Sequence, residues 1–138
     1  MVTGDEVAHR SADVMWSGDA ASKGLGMSLD HVAPGQARTS MLVRENMVNG
    51  WNVCHGGFIA ALADSAFAVA CNSHGTVTVA AGFDITFLEP ARSGDLLVAT
   101  AVERAVRGRS GLYDVTVRCG ATVVAEFRGR SRSLGRPI

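Results

Sequence analysis

The sequence predicts an α+β fold in which an antiparallel sheet curls around one long helix. Three observations carry that expectation. Residues 56–72 form an Ala-rich stretch, apolar on nearly every side. A helix of that kind is buried on every side, so in a chain of 138 residues something must wrap it. Downstream of residue 76, four segments read as strands, and most of their connections are hairpins.

The elements follow in order. Residues 4–22 carry a helical pattern, with Val7, Ala12, Met15, Trp16 and Ala20 as candidate core positions. Two short strands, 27–32 and 37–43, flank the turn signal Pro34-Gly35. A loop spans 44–55. The central helix then runs to Asn72, where Ser73-His74-Gly75 ends it. From Thr76, the residues Val77, Val79, Ala81, Phe83, Ile85 and Phe87 alternate with small or polar ones, the period of a strand. Residues 89–95 turn the chain into a second strand, 96–104. Gly108 to Gly111 closes a hairpin into 112–119, and Gly120-Ala121 turns into 122–133. No repeat, low-complexity segment or linker divides the chain, so one domain over 1–138 is expected.

Composition narrows the function classes. The 13 basic and 13 acidic residues cancel, so no overall field draws in nucleic acid or an anionic membrane. The charge is unevenly placed. From Thr100 onward eight arginines face only Glu103, Asp114 and Glu126. Either a local anion site or a solvated strand face fits that excess. The three cysteines, Cys54, Cys71 and Cys119, show no framework spacing, and free thiols imply a reducing compartment, the cytoplasm. Asp5, Glu6, His9 and Arg10 do not read as a secretory signal. The longest apolar stretch, 58–71, is short and carries Asp64 and Ser65, so no membrane span is expected.

One constellation carries chemistry. Asp64 lies among apolar neighbours in the central helix. A buried carboxylate is paired, protonated or functional. Gly56 and Gly57 open the same helix, where N–H groups have no partner and the dipole is positive. Glycine there admits a ligand close to the backbone, and such a site can hold a developing oxyanion. A glycine pair also serves simply to make a tight junction. Gly56 and Asp64 are eight residues apart, roughly 12 Å along one helix. One carbonyl cannot touch both in one subunit, so if both act, one comes from a second copy. Ala60, Ala61 and Ala68 leave room for an antiparallel partner helix. His55 could orient a carbonyl or move a proton, although a lone His is more often a cap or core residue. Cys54 beside it invites a Cys–His nucleophile reading, but sequence neighbours rarely point the right way, because such dyads assemble in space rather than in sequence. Cys54, His55, Cys71 and His74 lack zinc-ligand spacing, and neither metal nor cofactor is expected.

The segment MVNGWNVCHGGFIAALADSAFAVACNSHG, residues 47–75, resembles the core motif of the PaaI group of hotdog-fold acyl-CoA thioesterases. The resemblance extends to Asp19, LGM at 25–27, FLEPARSGD at 87–95, YDVTV at 113–117 and FRGRS at 127–131. It implies a hotdog fold and hydrolysis of phenylacetyl-type or related acyl-CoA to acid and CoA. It implies a dimer of dimers with sites shared between subunits. By the same resemblance, the Gly56 N–H polarises the thioester carbonyl and Asp64 of the partner subunit is nucleophile or general base. Asn49 and His55 shape the site. Gly57 and Ser65 are expected beside the substrate. Arg128 and Arg130, on one face of their strand, are candidates for the CoA phosphates. Trp51 and Gly18 stand where family members often have His and Asn, which bears on the acyl group accepted. Two other classes fit such a chain: an acyl-thioester hydratase or dehydratase, whose chemistry calls for a His that the helix interior lacks, and a non-catalytic acyl-CoA binding module.

Overall fold

The structure, a computed structural model, describes all 138 residues. In order it has helices α1 (Gly4–Ser17) and α2 (Ala20–Gly24), strands β1 (Ser28–Ala33) and β2 (Gln36–Leu42), and a 3-10 turn at Glu45–Met47. Helix α3 (Gly56–Asn72) follows, then β3 (Thr76–Phe87), β4 (Leu96–Arg107), β5 (Ser110–Cys119) and β6 (Thr122–Pro137). The strands form one antiparallel sheet in the order β1-β2-β4-β5-β6-β3, curled around α3. This is the expected α+β hotdog arrangement.

The expected helix over 4–22 is two helices. Thr3 caps α1 by accepting from the Glu6 N–H at 3.1 Å. Gly18 ends it. Asp19 then caps α2, accepting from the Ser22 N–H at 2.9 Å. Of the five expected core positions only Ala12 is fully buried. Ala20, beyond the break, is exposed. Strands β4 and β6 run farther than the sequence suggested, because the β4–β5 turn is only Gly108-Arg109 and β6 pairs on both edges.

The central helix is fixed at both ends. The Cys54 N–H donates to the Ala91 carbonyl at 2.7 Å and the His55 N–H to Met47 at 2.8 Å. At the far end the Ser73 hydroxyl donates to the Ala70 carbonyl at 2.6 Å and accepts from the Gly35 N–H at 2.7 Å. Asn72 exchanges two bonds with the backbone of Thr78. Phe67 anchors the packing, 5.6 Å from the Tyr113 ring and 5.8 Å from Phe127. It lies over Gly129, where a Cβ would come within 2.8 Å of the ring.

The sheet covers only one side of α3. On the other, Gly57, Ala60, Ala61, Asp64 and Ala68 line up at helical spacing and stay partly open. The expectation of burial all round is therefore met on one side within the protomer. Strand β3 pairs only with β6 and has no fully buried residue. Register shifts at Thr76/Thr78 and Ala80/Gly82 interrupt its alternation, and along this edge strand Val79, Phe83 and Phe87 are exposed. No helix is long and apolar enough to cross a membrane.

Candidate active site

The loop into α3 is organised by Asn49. Its side-chain oxygen accepts from the N–H groups of Trp51 at 2.9 Å and Val53 at 3.2 Å. Its own N–H donates to the Val53 carbonyl at 2.8 Å. Within this turn Asn52 takes φ 60°, a left-handed conformation that Asn tolerates. Asn49 thus shapes the loop from within. The Trp51 side chain is 87% exposed.

Next come the first residues of α3. The His55 side chain is exposed and makes no capping bond. His55 holds the N-cap position through its backbone carbonyl, which accepts from the Phe58 N–H at 3.0 Å, and it is not a core residue. The N–H groups of Gly56 and Gly57 have no intrahelical acceptor, and no loop carbonyl takes them. Gly56 packs against Phe87 so closely that a Cβ there would lie 2.7 Å from the ring. A Cβ on Gly57 would meet nothing within 4 Å. Two clefts meet at this glycine pair. One, of roughly 340 Å³, is mostly apolar and includes Gly56, Ile59, Phe87, Leu88 and Pro90. The other, of roughly 430 Å³, lies beside Leu25, His55, Gly57, Phe58 and Ala61.

Asp64 occupies the open stripe of α3, half-buried and without a hydrogen-bond partner in the chain. Burial pushes its carboxyl above the ordinary value, and the negative charge of Asp19 adds to the rise. Ser65 turns toward α2, where its hydroxyl lies 2.8 Å from that of Ser22, which donates to Asp19 at 2.7 Å. Asp19 is therefore an electrostatic neighbour of Asp64. Its signature was the Asp19-x-x-Ser22 capping pattern, and the long-helix reading obscured it. Phe87 was read as one residue of an alternating strand and as the start of the FLEPARSGD stretch, without a place beside Gly56.

Other candidates lie elsewhere. Cys54 is buried and its thiol is pushed up, so it is a poor source of thiolate. Arg128 and Arg130 do share one face of β6, but both guanidinium groups are already engaged. Arg128 grips Asp114 through two bonds, of 2.7 and 2.9 Å, and Arg130 meets Asp84 at 2.9 Å. These exposed pairs compete with any phosphate. No group of three His, Cys, Asp or Glu side chains is placed to hold a metal.

The sequence profile described as Thioesterase superfamily matches residues 52–126, the stretch from the Asn49 loop through most of the sheet. The chain is 42% identical to acyl-coenzyme A thioesterase PaaI of Escherichia coli K12 over 132 residues, covering 95% of this chain and 94% of that protein. The chain belongs to the thioesterase superfamily. Within it the chain is of the PaaI type. The solved structure of the E. coli PaaI protein superposes with a TM-score of 0.96, at 39% identity, over 99% of both chains. A phenylacetic acid degradation protein PaaI from Thermus thermophilus superposes at 0.82, with 36% identity over 84% of this chain and all of that one. Human acyl-coenzyme A thioesterase 13 is 35% identical over 77 residues, 54% of this chain and 55% of that protein.

Proposed function

We propose that this thioesterase hydrolyses phenylacetyl-type and related acyl-CoA thioesters to the free acid and CoA, as a single cytoplasmic domain in a homo-oligomer whose sites are shared between copies. One observation carries the reading. Two free N–H groups and one unbonded carboxylate lie on a single helix, about 12 Å apart, beside a face the protomer leaves open. A second copy packed antiparallel would bring Gly56 of one chain to Asp64 of the other. The small residues around Asp64 allow that approach, and the unpaired edge of β3 offers a place to join. A dimer of dimers is the assembly that the PaaI resemblance implies. The free thiols support a reducing compartment.

The chemistry follows from these groups. The thioester carbonyl accepts from the Gly56 N–H, with the helix N-terminus favouring the developing negative charge. Asp64 of the second copy takes a proton from water, whose oxygen attacks the carbonyl carbon. The tetrahedral intermediate collapses, the C–S bond breaks, and CoA leaves as thiolate. Its raised proton affinity makes Asp64 a better base than an ordinary aspartate. In the alternative route Asp64 attacks directly and a mixed anhydride is then hydrolysed. His55 and Gly57 border the carbonyl, Asn49 holds the loop, and Ser65 sets the Asp64 flank through Ser22. The apolar cleft at Gly56 and Phe87 suits an aryl group, as does the origin of the E. coli relative in a phenylacetic acid degradation operon.

The test is thiol release from aryl-acetyl, benzoyl and straight-chain acyl-CoAs by the native protein and Asp64→Asn. Thiol release that falls about a hundredfold or more in the variant is the expected result. Incorporation of labelled water oxygen into Asp64 in a single turnover separates the two routes. Loss of enoyl absorbance without thiol release would mark a hydratase. Tight CoA binding without turnover, unchanged in Asp64→Ala, would mark a binding module.

A further inference from the structure

A third cleft lies at the opposite end of α3, where the helix terminus, the start of β3 and the β4–β5 turn meet. It encloses roughly 200 Å³. Cys71, fifteen residues along α3 from Gly56, lines it, so the cleft is about 22 Å from the glycine pair in the same protomer.

Its chemistry is one-sided. None of its 12 lining residues is a carboxylate, whereas it holds Arg109, His74 and several hydroxyls. The arginines 104, 128 and 130 all have carboxylate partners, but Arg109 has none. Its guanidinium lies against Gly135, where a Cβ would come within 2.7 Å of it. The nearby carboxylate, Glu103, does not line the cleft and is already held by His74 at 2.7 Å and by the Tyr113 hydroxyl at 2.8 Å.

Ser131 is the second, independent observation. The residue is only 5% exposed, yet its hydroxyl has no partner in the chain. No fully buried side-chain oxygen lacks a partner, so this hydroxyl opens on the cleft rather than the core. It stands over Gly111, whose missing Cβ leaves it space. Ser133 accepts from the Gly135 N–H at 3.2 Å, which leaves its own O–H free to donate. A cation without a carboxylate partner and hydroxyl donors on one cleft, with the neighbouring acid already bonded to His74 and Tyr113, describe a receptor for an oxyanion.

We propose that this cleft binds a phosphate-type oxyanion, held by Arg109 and the hydroxyls of Ser131 and Ser133. The oxyanion is either free phosphate or a phosphate of the coenzyme, the latter resting on the function proposed above.

The probe is inorganic phosphate, titrated into the full chain by calorimetry. Saturable binding is expected, weakened about tenfold or more in Arg109→Gln and severalfold in Ser131→Ala. Arg109→Lys should retain part of it. Ser131→Ala removes one oxygen, and an unchanged melting temperature verifies that its fold is intact. Displacement of phosphate by CoA but not by pantetheine identifies the coenzyme as occupant, and absence of displacement identifies a free oxyanion. No saturable binding by the parent, or equal binding by both variants, overturns the proposal. The readout needs no turnover, so it stands apart from the fate of the thioesterase reading.

Discussion

Replacing Gly56 with Ala puts a methyl group 2.7 Å from one carbon of the Phe87 ring and 3.0 Å from another. Both distances are shorter than ordinary contact. Forcing extra volume into a packed site costs about 1–3 kcal/mol. Phe87 is 48% exposed, so its ring can swing outward and the cost falls near the bottom of that range. About 1 kcal/mol in a chain of this length lowers the melting temperature by roughly 4 °C. Activity should suffer more. If the Gly56 N–H polarises the carbonyl, displacing it approaches the loss of an oxyanion-hole donor, about a hundredfold in kcat. Thermal melting and thiol-release kinetics on Gly56→Ala, Phe87→Ala and the double variant separate the two effects. The double variant should regain most of the lost melting temperature, because the colliding ring is gone. A Gly56→Ala protein that melts lower but keeps kcat within about twofold would refute the role given to that N–H. One that melts like the parent would refute the packing argument.

Further predictions rest on other parts of the molecule. Asp64 holds its proton more tightly in the folded state than in the unfolded one, so its ionised form destabilises the fold at neutral pH and protonation relieves this as pH falls through the raised value. Asp64→Asn should therefore melt above the parent at neutral pH, with a gap that narrows on acidification. A gap of opposite sign in melting curves across pH would contradict this. Ser73→Ala strands the buried Gly35 N–H and should cost about 1–3 kcal/mol in denaturant unfolding, whereas an unchanged midpoint would mean the bond is dispensable. Of the three thiols, burial pushes Cys71 up to about 12, with the Asp64 charge adding to the rise, and burial also raises Cys54. Iodoacetamide at mildly alkaline pH should therefore label the half-buried Cys119 first, as peptide mapping will show.

Much of this was legible in the sequence because local pattern and tertiary role coincide. Helix α3 matches its expected bounds, since an Ala-rich apolar run followed by a Ser-His-Gly stop leaves little else for the chain to do. The outer bounds of β3 were equally plain, although its two register shifts were not, because a bulge changes pairing without changing composition. The break at Gly18 was hidden by helix-compatible residues on both sides, and the Asp19 charge beside Asp64 was hidden with it. The glycines and Asp64 announced themselves as unusual for their surroundings. That Arg128 and Arg130 spend their charge on Asp114 and Asp84 could not be read, because those partners lie 14 and 46 residues away along the chain. The open cleft beside Arg109 depends on the same long-range pairing.

The rigid seating of α3 has a consequence for how such a chain can change over generations. With both ends clamped, the helix acts as a ruler between the Gly56 N–H and the Asp64 carboxylate. One inserted residue between them would turn the carboxylate by about 100°. It would then stand where Ser65 does, turned toward α2, and one deleted residue would put it where Ala63 is fully buried. Substitutions around Phe87, Leu88 and Trp51 leave the ruler untouched. Drift in the acyl group accepted is therefore open to this lineage through point changes at the helix mouth, while insertions and deletions within the helix are closed to it.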